Sequence, residues 1–241
     1  MKTDERNNHA AEAPPREAAK PPKKTKSDRT RERLMAAARR VFARRGYIDA
    51  KIGEITAEAG IASGSFYNYF DDKTDLLRAL IDDFWRALPH TRKALHGAAL
   101  NPIAHLTQAV TQYWTDYVRH KAEIGGLLEA AMIDKSFARI WREMRSEGVP
   151  MTAADIGRAQ KAGFAKGLEP EIAASALCCL VEFACYDWVG RKFDATGKKF
   201  TQQEMLRTLT ELIARAIAYR GESPLAAFRK GRSTKEERSR K

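Results

Sequence analysis

The chain has 241 residues, 44% hydrophobic and 31% charged, with 43 Lys and Arg against 31 Asp and Glu, for a formal charge of +12. Its length suits one ordinary domain with a small companion, or a single larger helical body. The positive surplus points towards a polyanionic partner, nucleic acid or an acidic membrane surface.

Several function classes fall away early. Met1-Lys2-Thr3-Asp4-Glu5-Arg6 leads into no apolar core, so no secretory signal is expected. Cys178, Cys179 and Cys185 lack metal-ligand spacing and form an odd set in one stretch, which reads as free thiols in a reducing cytoplasm with no metal bound. The five histidines, His9, His90, His96, His105 and His120, form no triad or metal spacing. No glycine-rich phosphate loop or nucleophile elbow is present either, so neither catalysis nor a cofactor is expected. The apolar run Ile172–Val189 carries Glu182 and Asp187, and reads as a buried helix with no membrane partner.

In chain order, residues 1–26 contain no large aliphatic or aromatic side chain beyond Met1 and read as a disordered basic tail. A first helix follows, with Leu34, Ala37, Ala38, Val41 and Phe42 at helical spacing and Gly46 as its stop. A short helix over Ile52–Ala59 ends at Gly60, and a second short helix is expected over Ala62–Phe70. Asp72 to Asp75 cap a longer helix bearing Leu76, Leu77, Leu80, Ile81 and Phe84. Residues 27–88 thus follow the helix-turn-helix plan. No alternating run suggests a strand, and the chain reads as all-α.

On a helix, Phe66 and Phe70 share one face and can cover Val41, Phe42 and Ile55. Ser63, Tyr67 and Asn68 share another, flanked by Ser65 and Tyr69, with Gly64 removing bulk. A neutral surface rich in hydroxyl and amide groups suits a DNA major groove, where Asn and Ser meet base edges and a tyrosine hydroxyl meets phosphate. Half-buried packing tyrosines are the alternative at this point.

The stretch RERLMAAARRVFARRGYIDAKIGEITAEAGIASGSFYNYFDDKTDLLRAL resembles the DNA-binding domain of the TetR family of bacterial transcriptional repressors. The likeness rests on Phe42, Gly46 and Tyr47, on Ile52 and Ile55, and on Ala59-Gly60-Ile61. It continues through Gly64-Ser65-Phe66-Tyr67, Tyr69-Phe70, Lys73 and Leu76-Leu77. It implies that Ala62–Tyr69 is the recognition helix, with Ser63 and Asn68 as base readers. It further implies that Ser65, Tyr67 and Tyr69 contact phosphate or sugar and that Lys73 anchors a phosphate. Gly53 and Lys51 depart from the family pattern; they cast doubt on a base contact from Gly53 and suggest Asp49 as the cap of the second helix.

Residues 89–221 resemble the family more loosely and are expected to bind an effector and to dimerise. Tyr113, Trp114, Tyr117, Phe137 and Trp141 are candidates to line an apolar pocket, together with Met144, Phe164, Phe183 and Tyr186. Plain core packing is the competing reading for each. The stripe containing Leu209, Leu212, Ile213 and Ile217, with Leu180 and Glu182 from the preceding helix, suggests a four-helix dimer interface. A carboxylate in so apolar a helix needs a partner, an arginine across the dimer or a ligand. Residues 222–241 read as a second basic tail. Together these features imply a cytoplasmic homodimer that binds a double-stranded operator and answers to a small, largely apolar effector. An activator, a ligand-independent repressor and a helical protein-interaction module are the alternatives.

Overall fold

The computed structural model describes residues 25–87, 102–192 and 197–218. The tail expected over 222–241, nearly all of that expected over 1–26, and the junction expected at 88 lie outside them. Among the described residues are eight α-helices and no strand, the all-α architecture anticipated. They are α1 (Lys26–Arg45), α2 (Ile52–Ala59), α3 (Lys73–Ala87), α4 (Pro102–Arg119), α5 (Lys121–Ala131), α6 (Lys135–Lys161), α7 (Pro170–Ala184) and α8 (Gln202–Ala218). A 3-10 helix, Ser63–Asn68, stands between α2 and α3, and a π-helical turn, Cys185–Arg191, continues α7.

Local chemistry sets the helix ends. Thr25 and Asp28 exchange side-chain and backbone hydrogen bonds in a capping box, so α1 starts at Lys26, inside the stretch read as tail. Gly46, at φ 81°, closes α1, and left-handed Gly60 closes α2. The head of α2 corrects an expectation. Asp49 does not cap it; the Glu54 carboxylate accepts from the Lys51 N–H at 3.1 Å and also holds Arg45. Asp72 caps α3 by accepting from the Asp75 N–H at 2.8 Å.

The apolar stripe of α1 is buried as its spacing requires, with Leu34, Ala37, Ala38 and Val41 fully enclosed. Ile55 of α2, Phe66 and Phe70, and Leu76, Leu77 and Leu80 of α3 complete this core. The same core takes in Ala122, Leu127 and Ala130 of α5 and Phe137 of α6, so the first three helices are seated on the rest of the chain. A second core gathers Trp114 and Tyr117 of α4, Val181 of α7 and Leu209 and Ile213 of α8; a third gathers Leu106, Ile156 and Ile217.

Together α7 and the π-helical turn form one 22-residue run, Pro170–Arg191, with an 18-residue stretch of mean hydropathy 1.6, long and apolar enough by length and composition to cross a membrane. Within the fold this run is a wall of the body. Ala174, Val181, Ala184, Cys185 and Val189 face inward, while Ile172, Leu180 and Phe183 stay exposed.

Phe66 has no exposed surface and its ring lies 5.8 Å from that of Phe70, so it ties the 3-10 helix to α1 and α2. Phe66→Ala is expected to cost about 3–5 kcal/mol, read as a lower urea midpoint at unchanged slope. A loss under about 1 kcal/mol would mean that this segment does not depend on the core.

Candidate nucleic-acid interface and body cavity

The segment expected to be an α-helical recognition element is a 3-10 helix from Ser63 to Asn68, and its side chains still divide by face. Phe66 and Phe70 point inward. Ser63, Tyr67 and Asn68 are exposed, Tyr67 at 60% of its surface, and Ser65 and Tyr69 are half-buried. Ser63 Oγ lies 3.2 Å from Thr56 Oγ1, which pins the head of the segment to α2. A Cβ added at Gly64 would meet nothing within 4 Å, so no contact inside the protomer calls for glycine there. Behind the segment, Arg33 of α1 donates to the carbonyls of Ala59, at 2.5 Å, and Gly60, and fixes the α2 C-terminus.

The cations of this region are largely committed. Arg40 and Arg44 pair with Glu58, and Arg45 pairs with Glu54. Lys73 departs furthest from its expected role as a phosphate anchor. Its ammonium donates to the carbonyls of Tyr47, Ile48 and Ala50 at 2.7–2.9 Å, with the Tyr47 ring 4.7 Å away. An ammonium has three N–H donors, and all three are spent on the loop between α1 and α2. Burial draws its pKa below the ordinary lysine value, against the pull of Asp49 and Glu129. Lys73 therefore braces a loop. Lys51, exposed at the head of α2, is a cation that sequence reasoning passed over as a simple departure.

The body contains a cavity of about 170 Å³ between α4, α6, α7 and α8. Of the nine aromatic and methionine candidates, Tyr113 and Met144 line it. The others lie elsewhere because helical spacing marks burial without saying against what. Phe137 belongs to the core around α1–α3, Trp114 and Tyr117 fill the second core, and Phe164 packs against the third. Trp141 bridges the first two cores, Phe183 is exposed, and Tyr186 lines a different cavity.

Of the polar groups of this cavity only Glu182 was expected to need a partner; the others went unpredicted, since their partners are distant in sequence. His105 Nδ1 lies 2.6 Å from Asp155 Oδ2, and Arg158 pairs with the same carboxylate. Glu182, expected across a dimer or on a ligand, meets Arg145 of its own chain at 3.4 Å. Burial raises its pKa to about 7, and Arg145 opposes the rise. Burial likewise raises the Cys178 thiol, which sits 3.9 Å from Thr152 Oγ1. Among the other residues assigned to a dimer interface, Leu209, Ile213 and Ile217 are enclosed in the protomer, whereas Leu180 and Leu212 are exposed.

Residues 34–80 match the sequence profile of the bacterial regulatory proteins of the tetR family. Over these residues the chain is similar to that family. An uncharacterised HTH-type regulator, YdgC of Bacillus subtilis, is 44% identical over 61 residues, 25% of this chain and 31% of that protein. The repressor BepR of Brucella suis is 27% identical over 183 residues, 69% of this chain and 83% of its own length. The regulator FadR of Bacillus subtilis, solved with stearoyl-CoA, superposes with a TM-score of 0.56 at 17% identity, covering 77% of this chain and 98% of its own. At that identity the likeness speaks to the fold. Three of the curated relatives are matched over only 31%, 63% and 46% of their lengths, under two thirds in each case.

Two outcomes follow from these contacts. Lys73→Ala is expected to lower stability by about 2 kcal/mol through its lost charged hydrogen bonds. The slope of log affinity for duplex DNA against log salt should stay constant, whereas a lost phosphate contact would reduce that slope by about one. For Glu182, a carboxyl whose pKa rises on folding contributes stability fully below its ordinary value of 4.5 and loses it as pH climbs through about 7. Glu182→Gln should therefore flatten the decline in thermal midpoint over that window, and an unchanged profile would rule out Glu182 as its source.

Proposed function

We propose that the chain is a ligand-responsive repressor, which docks as a homodimer on a palindromic operator in the cytoplasm and leaves it when a small, largely apolar effector binds. The observation that carries this reading is the neutral, exposed Ser63–Asn68 surface, rigidly backed by Phe66 and Arg33. Ser63 and Asn68 read base edges; Ser65, Tyr67 and Tyr69 hold phosphate or sugar; Gly64 lets the backbone approach the duplex. With Lys73 occupied, the phosphate contacts fall to these hydroxyls and to Lys51.

The domain assignment that goes with this is a helix-turn-helix unit over 27–88 and an effector-binding and dimerising body over 89–221, with basic tails outside them. The dimer would bury the exposed apolar stripe of Ile172, Leu180 and Phe183 on α7 with Leu212 on α8. A two-fold axis there presents two recognition segments about 34–36 Å apart, one DNA turn.

The effector would enter the cavity beside Tyr113 and Met144 and place a polar group against Arg145–Glu182 or His105–Asp155. Relatives that are named repressors and a structural neighbour solved with an acyl-CoA support a ligand-responsive reading. A ligand that favours the off-DNA arrangement shifts the population away from the operator, and operator DNA must weaken that ligand by the same factor.

The test is binding to duplex DNA from near the chain's own gene. Tyr67→Ala removes about 1 kcal/mol of hydrogen bonding from each half-site, so affinity should fall by about thirtyfold with the thermal midpoint unchanged. Wild-type binding that ignores both salt and Tyr67→Ala would refute DNA recognition by this surface.

A further inference from the structure

A second cavity, of about 190 Å³, lies between the C-terminal end of α1, α5 and the π-helical turn, and the function proposed above makes no use of it. Its lining is polar. In its wall the Tyr117 hydroxyl is buried, with the residue 1% exposed, and has no hydrogen-bond partner among the described residues. An unmade hydrogen bond at such a depth is costly.

Two glycines of the lining make room for that oxygen. A Cβ at Gly190 would stand 2.6 Å from it and one at Gly125 would stand 3.0 Å away. Neither position has a positive φ, so the requirement is one of room.

The charges around the cavity do not balance. Glu129 is already engaged: it accepts from the Ile48 N–H at 2.9 Å and the Tyr186 hydroxyl at 3.0 Å, with Arg191 3.9 Å away. Arg44 and Arg45, also in the lining, are paired outward with Glu58 and Glu54. Lys121 is half-buried with no carboxylate partner among the described residues, and burial, with the like charge of Lys192, draws its pKa below the ordinary lysine value. Lys192 itself holds a left-handed backbone, φ 55° and ψ 34°, at the end of the π-helical turn. Both features are uncommon and concentrate at functional sites.

We propose that this junction is a second ligand site, which takes a small oxyanion of the phosphate type, held by the Lys121 ammonium, the Tyr117 hydroxyl and the Arg191 guanidinium. The anion satisfies the orphan hydroxyl and relieves the repulsion between the lysines. Arg191 is half-exposed at the rim, so the same site admits either free phosphate or a terminal phosphoryl group carried on a larger molecule. Because one wall is the end of α1 and the other is α5, an occupant touches both the DNA-binding unit and the body.

Calorimetry on the full chain tests this in a low-chloride buffer, with inorganic phosphate in one arm and a nucleoside monophosphate in the other. No operator is required, so the outcome is independent of DNA recognition. Saturable binding of one anion per protomer is expected in at least one arm, and which arm binds identifies the source. Lys121→Gln should weaken it about tenfold or more and Tyr117→Phe about fivefold, while Tyr67→Ala, on the DNA-facing surface, leaves it unchanged. No saturable binding in either arm, equal binding by Lys121→Gln, or a loss confined to Tyr67→Ala would each overturn the proposal.

Discussion

The arrangement depends on one helix, α5, wedged under the DNA-binding unit with a buried carboxylate near each end. Glu123 accepts from Arg39 of α1 at 2.6 Å, and Arg39 also reaches Asp83 of α3 at 2.5 Å. Glu129 accepts from the Ile48 N–H, beyond the end of α1. Both glutamates are almost wholly enclosed, at 4% and 2% exposed. Buried ion pairs of this kind add little net stability, because desolvation offsets much of the attraction. What they impose is direction: each charge is tolerated only while its partner is in place. Between them, Gly126 brings its backbone so near to Leu77 that a Cβ would stand 3.0 Å from a methyl. The joint is close-packed and polar at the same time, and it has few ways to slide.

Such a joint can transmit a shift in the body. The first cavity is walled by α4, α6, α7 and α8, and α4 carries Tyr117, which reaches Gly125 of α5 and Gly190 of the π-helical turn. A change in the spacing of α4 and α7 therefore arrives at α5, which the Glu123–Arg39 pair ties to α1. Close-packed interiors respond to small displacements by moving between discrete arrangements. Lys73 works to the same end on the other side of the loop: by holding the carbonyls of Tyr47, Ile48 and Ala50, it stiffens the segment whose Ile48 N–H meets Glu129.

The parts that could be read in the sequence are those governed by neighbours along the chain. The α1 stripe, the glycine stops at Gly46 and Gly60, the Asp72 cap and the inward Phe66–Phe70 pair follow from spacings of three and four residues. The missed features depend on contacts between distant residues. Lys73 meets carbonyls 23 to 26 residues earlier, His105 meets Asp155 fifty residues later, and Tyr186 meets Glu129 across 57. Nothing in local spacing distinguishes an aromatic that fills a core from one that lines a cavity, so Tyr113 and Trp114, adjacent on α4, have different fates. The α8 stripe misled for a related reason. A helix on the rim of a body buries its best apolar face in its own protomer, Leu209, Ile213 and Ile217 here, and leaves isolated residues such as Leu212 outside.

Charge placement separates attraction from recognition. The formal charge of +12 belongs to the whole chain, yet Arg40 and Arg44 of α1 share Glu58 and Arg45 pairs with Glu54, while Arg33 holds backbone carbonyls and Arg31 lies over the Phe70 ring. Ser63, Tyr67 and Asn68 give this face short, neutral donors. Long-range attraction is salt-sensitive and blind to sequence, so it can bring DNA near without selecting a site. Selection falls to groups that act only in contact, and hydroxyls and an amide on a rigidly backed turn are of that kind. The internal pairing of arginines thus limits non-specific attraction, and under the function proposed above discrimination falls to Ser63, Tyr67 and Asn68, whose hydrogen bonds would form only with bases and phosphates in register.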